Sequence, residues 1–186
     1  MTKRALIVID VQKGFAEWDI KGERNNPDCE ANVAKLIAAW REKNQPIVYV
    51  KHNSKLPTSV LRPGQEGNDF KEIVTGVPDL LVEKSVNSAF YGEPDLYQWL
   101  KNSEISAVAI CGIQTNLCCE TTARMAGNLG LDTWFVLDAT HTFAKTVGEI
   151  KVSAEELAKV TAVNLSGEFA EVIDTESAIT RLEVAD

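Results

Sequence analysis

Short apolar runs rich in β-branched residues alternate along the chain with longer stretches whose apolar positions recur every three or four residues. Ala5–Ile9, Ile47–Val50, Leu80–Val82, Ala107–Cys111 and Thr133–Leu137 read as strands, with a weaker sixth around Phe169–Ile173. Their apolar character is continuous, which predicts strands covered on both faces. Helical periodicity runs over Asp28–Glu42, Glu93–Asn102, Asn116–Asn128, Ser153–Val163 and Thr175–Leu182. Ser153 followed by Glu155 and Glu156 is a helix-start signature, and Pro94 suits a first helical turn. Alternating β and α elements predict a parallel sheet with right-handed crossovers and helices on both faces, the doubly wound α/β architecture.

Length adds that a chain of 186 residues supports one domain with its own core and leaves no room for two full ones, so residues 1–186 are read as a single domain. With 45% hydrophobic and 25% charged residues, 11 Gly and 6 Pro, collagen-like, low-complexity and wholly disordered classes are excluded. There are 19 Lys and Arg against 27 Asp and Glu, a net charge of -8, and no basic patch offsets it, which argues against a nucleic-acid partner. The longest apolar runs, Ala5–Ile9 and Ile105–Ile110, fall far short of the roughly 20 residues a bilayer demands, so no membrane partner is expected. Lys3 and Arg4 are not expected to open a signal peptide, because Asp10, Gln12 and Lys13 interrupt the apolar stretch that follows them. Cys29, Cys111, Cys118 and Cys119 make neither a disulfide framework nor a C-x-x-C pair, so free thiols in a reducing compartment, and hence a cytoplasmic location, are expected.

Ligands of doubly wound sheets bind beyond the carboxyl ends of the strands, and three residues at such ends carry chemistry. Asp10 closes the run LIVID, where it either caps the next turn or presents a carboxylate to the sheet edge. Lys84 closes LLVEK, as a solvated strand end or as the partner of a carboxylate. Cys118 stands near the start of the helix beginning at Asn116, where the helix dipole would lower a thiol's pKa; otherwise Cys118 and Cys119 are small buried apolar residues. Only one of these adjacent thiols can face a given pocket, since they are about 100° apart on a helix. Base, cation and thiol together suit a cysteine hydrolase, in which the carboxylate takes the thiol proton and the thiolate attacks a carbonyl. Lys51–Ile73 is a long polar loop with Gly64 and Gly67 as turn residues, and His141–Lys151 is a second polar connection; neither reads as a domain linker.

These motifs carry a resemblance. The D-x-Q-x-x-F opening (Asp10, Gln12, Phe15), Lys84 with its following SVNSAF, and G-x-x-T-x-x-C (Gly112, Thr115, Cys118) resemble the isochorismatase-like cysteine hydrolase family, over Leu6 to about Thr175. The resemblance implies a six-stranded sheet in a three-layer α/β/α sandwich and an Asp10–Lys84–Cys118 catalytic triad. It also implies a cis peptide at Ile113–Gln114 and an oxyanion hole made by the backbone N–H groups of Gln114 and Cys118. Members that hydrolyse isochorismate lack the cysteine kept here as Cys118, so a small carboxamide or N-carbamoyl compound, cleaved at C–N through an acyl-enzyme, is the implied substrate. The implied assembly is a homo-oligomer. The alternatives are a binding or assembly protein on the same fold, and hydrolysis of a C–O bond.

Nicotinamidases of the family hold a metal through Asp-x-His and a further His, but the corresponding stretch here is Val50, Lys51, His52, Asn53, Ser54, with His141 elsewhere, so neither metal nor cofactor is expected. The expected pocket lining is Gln12, Phe15, His52, Asn87 and Phe90, with Ser54, Tyr91 and Arg62 as further candidates, Arg62 as a carboxylate clamp or a solvated loop residue. Trp18, Trp40, Trp99 and Trp134 read as packing residues.

Overall fold

Arg4–Ile9 forms strand β1, and every one of its residues is buried, in a computed structural model that describes residues 3–16 and 24–184. Trp18 lies outside the described residues. Neighbouring positions of β1 serve different cores: Leu6 and Val8 pack with α1 (Cys29–Glu42), through Val33, Leu36, Ile37 and Trp40. Ala5, Ile7 and Ile9 face the other way, onto Leu96 and Leu100 of α2 (Leu96–Asn102) and Ala123 and Ala126 of α3 (Glu120–Asn128). A strand with two buried faces has no reason to alternate in polarity, which accounts for the continuous apolar runs.

The remaining sheet strands are β2 (Ile47–His52), β3 (Leu80–Lys84), β4 (Ala107–Ile113), β5 (Asp132–His141) and β8 (Glu171–Ile173). Their order in the six-stranded sheet is β3-β2-β1-β4-β5-β8, and every pairing is parallel. α4 (Ala154–Leu165) joins the α2 and α3 face through Leu165, while α5 (Thr175–Val184) joins α1 through Ala178 and Leu182. The expected doubly wound α/β/α sandwich is the observed one. Because the chain winds outward from β1 through β2 to β3 and then resumes at β4, the order reverses between β1 and β4, where such sheets open a crevice.

Some details differ from the sequence expectation. α2 starts at Leu96, not around Pro94: the Asp95 carboxylate caps it by accepting from Gln98 N at 2.9 Å, and Pro94 precedes the cap after a cis Glu93–Pro94 bond. Ser153 and Glu156 form a full capping box on α4, as the sequence signature predicts. The connection read as polar loop from His141 contains an antiparallel hairpin, β6 (Lys145–Val147) and β7 (Ile150–Val152), turning at Gly148. Its strands are too short to display a period.

Candidate active site

At the end of β1, Asp10 adopts a positive φ of 52°, and its carboxylate is fully buried. Beside it Gly112 on β4 has φ 127°, and a Cβ there would stand 2.0 Å from Ile9 O. The motif glycine is therefore needed for backbone contact between β1 and β4 next to the carboxylate. Lys84, also buried, reaches across from the end of β3 and donates to Asp10 Oδ2 at 2.6 Å. The strand lying between them supplies His52, whose Nδ1 is 3.2 Å from Lys84 Nζ. Burial disfavours the ammonium, yet Asp10 and then Cys118 outweigh it and hold Lys84 above its ordinary pKa. Burial and the neighbouring Lys84 push His52 down, so its ring is neutral at pH 7.

Cys118 approaches from the other side of the crevice. An Asp10 carboxylate oxygen, a His52 ring nitrogen and Cys118 Sγ all lie within 4.8 Å of one another. The sequence places Cys118 in the first turn of an α-helix, but Thr115–Cys119 is a π turn, closed by Cys119 N donating to Gln114 O at 3.2 Å, and α3 begins only at Glu120. The expected lowering of the thiol pKa is reversed as well. Burial first, then the Asp10 carboxylate, raise Cys118 to about 12 against the opposing pull of Lys84. The resting thiol is thus protonated. Cys119 points into the core and is fully buried, so one thiol of the pair faces the crevice.

Asp10 Oδ1 is buried and has no hydrogen-bond partner among the described residues. One carboxylate oxygen is held by the ammonium and the other is left beside a protonated thiol. Asp10, His52 and Cys118 form a donor set, but it does not fit a divalent cation, because the Lys84 ammonium is bonded into the same space. A second set, Cys29, Glu30 and His141, has its carboxylate taken up by Arg24 and Lys71.

Ile113–Gln114 is cis, and Gln114 is buried at the foot of the π turn. Gln12, expected in the pocket, has its amide fully committed: Nε2 donates to His52 O and Asn68 O at 3.1 and 2.8 Å, and Oε1 accepts from His52 N at 2.9 Å. It braces the end of β2 against the long loop. Phe15 packs into the core around α1, Phe90 is buried on the α2 and α3 side, and Asn87, Tyr91 and Arg62 are exposed. Ser54 Oγ accepts from Leu56 N in a turn of the loop. Thr115, the middle of the third motif, donates to Thr140 Oγ1 at 2.8 Å and so ties the π turn to β5. A separate cavity of about 520 Å³ opens beyond β5 and β8, but none of Asp10, Lys84 and Cys118 lines it, and Asp138 in its wall is occupied in bonding Thr175.

This geometry has relatives. Residues 4–177 match the isochorismatase domain. The chain belongs to the isochorismatase family. Isochorismatase-family proteins similar to it include YrdC of Bacillus subtilis, 39% identical over 95% of this chain and 95% of the relative. Nicotinamidase 3 of Arabidopsis thaliana is 33% identical over 92% of this chain and 85% of its own. Among solved structures, an isochorismatase-family protein from Chromobacterium violaceum superimposes with a TM-score of 0.91 at 34% identity, over 98% of this chain and 94% of that one. Hydrolase chemistry is what the family shares, and no helix among the described residues of this member is long and apolar enough to cross a membrane.

Proposed function

We propose that this isochorismatase-family hydrolase is a cysteine amidohydrolase that cleaves the C–N bond of a small carboxamide or N-carbamoyl compound. The observation that carries the reading is the buried Asp10 carboxylate, with Oδ2 on Lys84 and Oδ1 unpartnered among the described residues, beside the protonated thiol of Cys118. Because the thiol sits near pKa 12, a standing thiolate is not the resting state, and proton removal has to accompany attack. Asp10 takes that proton as Sγ bonds to the substrate carbonyl carbon. The same proton then passes to the departing nitrogen, which leaves as ammonia or an amine, and an acyl-thioester remains on Cys118. Water, deprotonated by Asp10, attacks this carbonyl carbon; a carboxylic acid, or a carbamic acid from an N-carbamoyl compound, leaves, and Asp10 returns the proton to Sγ to regenerate the thiol.

Lys84 orients Asp10 and balances its charge throughout. The backbone N–H groups of Gln114 and Cys118 serve as the oxyanion hole, donating to the carbonyl oxygen as it becomes negative. The relative named for nicotinamide hydrolysis supports amide cleavage as the reaction class. A cytoplasmic homo-oligomer is the expected state, and light scattering of the purified protein tests the assembly. The deciding experiment measures ammonia release from a panel of primary amides and N-carbamoyl compounds by wild type and Cys118→Ala. Release by wild type alone is expected. Equal release by a folded Cys118→Ala variant refutes the mechanism.

A further inference from the structure

The mechanism leaves one charged side chain, in the hairpin that follows β5, without a task. β5 ends with His141 paired to Ile113, and Thr142 then donates from Oγ1 to Asn116 Oδ1 at 2.5 Å, so the chain leaving β5 is bonded onto the turn that carries Cys118. Lys145 opens the hairpin directly afterwards, paired with Val152. The far end of the hairpin runs into α4, where Thr161 donates to Glu120 Oε2 at 2.6 Å. The hairpin is thus tied at both ends to the segment Thr115–Glu120. Lys145 is half-buried, has no ion pair among the described residues, and lies within electrostatic reach of Cys118.

Asp10 and Lys84 neutralise one another in a buried pair. The Cys118 thiol and the His52 ring are both held neutral. Of the other cations considered for the pocket, Arg62 is exposed on the loop and Lys51 lies over the Phe70 ring. Lys145 therefore leaves a surplus positive charge within electrostatic reach of Cys118, on a chain whose net charge is -8. Burying part of an ammonium without a partner costs stability, and an anionic ligand would offset that cost.

We infer that Lys145 is a specificity residue whose ammonium binds an anionic group of the substrate, so that the amides or N-carbamoyl compounds processed here also carry a carboxylate. This rests on the amidohydrolase reading, which it deepens. Lys145 touches no reacting atom; its work is to hold the far end of the substrate while Cys118 and Asp10 act on the carbonyl.

Iodoacetate and iodoacetamide test this, since both alkylate a thiol and only the first carries a carboxylate. The rate of Cys118 modification by each reagent is followed by peptide mass spectrometry in wild type, Lys145→Ala, Lys145→Arg and Lys145→Glu. The iodoacetate-to-iodoacetamide rate ratio is expected to fall about fivefold in Lys145→Ala and further in Lys145→Glu, and to be kept in Lys145→Arg. The iodoacetamide rate itself should stay within about twofold of wild type, which a collapse of the hairpin would not allow. An unchanged ratio in both Lys145→Ala and Lys145→Glu overturns the inference while leaving the nucleophile in place, as does a parallel loss with both reagents. Absence of Cys118 modification by either reagent in wild type overturns the nucleophile reading, and this inference with it.

Discussion

Removing Lys84 tests the architecture of the site without any substrate. Its ammonium and the Asp10 carboxylate are 2.6 Å apart, with side-chain exposures of 0% and 1%. Lys84→Met keeps the length and apolar body of the side chain but strands a buried carboxylate. Breaking a buried pair from one side costs about 3–5 kcal/mol, because the remaining charge is desolvated and unpaired. For a domain of this size each kcal/mol lowers Tm by about 2–4 °C, so a fall of roughly 6–20 °C is expected. Asp10→Asn together with Lys84→Met removes the stranded charge and should recover at least about 1.5 kcal/mol relative to Lys84→Met alone. Urea unfolding of wild type, both single variants and the double variant closes the cycle. A cost below about 1 kcal/mol for Lys84→Met, or a double variant no more stable than that single one, would refute the account of a desolvated, mutually dependent pair.

Three further outcomes follow from the same structure. Asp10 raises the Cys118 pKa and Lys84 lowers it, so Asp10→Asn should move the alkylation midpoint of Cys118 to lower pH while abolishing turnover; a midpoint that stays or rises contradicts the electrostatics. His141, fully buried, is pushed down to about 3 by burial and by Arg24, so the folded state keeps it neutral while the unfolded chain takes up a proton below about 6.5. Its contribution is present above that pH and is lost as pH falls toward 3, at up to about 1.4 kcal/mol per pH unit, and His141→Gln should flatten the upper part of that decline in urea titrations. Below about 4.5 the decline continues through Glu30, which Arg24 and Lys71 hold at about 2 despite its burial. Gln12→Ala leaves His52 N and Asn68 O without their buried partner and should cost about 2–4 kcal/mol; faster hydrogen exchange in the Lys51–Ile73 loop than in β1 would locate the damage.

Much of this protein is legible in one dimension. Apolar runs such as Ala5–Ile9 and Ala107–Cys111 report strands buried on both faces, and the capping residues of α4 report its start, because these signals depend on a few neighbouring residues. The motif spacings likewise single out Asp10, Lys84 and Cys118, which the fold brings to one crevice. The short hairpin escapes such a reading, since strands of three residues leave no period. The roles of Gln12, Phe15 and Thr115 within their motifs are also hidden: they brace the loop, fill the core and tie the π turn to β5.

What the sequence determined by itself is the alternation of elements and the kind of chemistry available at the strand ends. Tertiary structure alone decided the state of that chemistry. A cysteine beside a helix start suggests a stabilised thiolate, yet burial and Asp10 hold Cys118 protonated at about 12. The helix dipole acts within its own segment and can be anticipated from it. Desolvation and the field of a carboxylate arriving from another strand depend on the packing of the whole sheet, and in this crevice they are the larger effects.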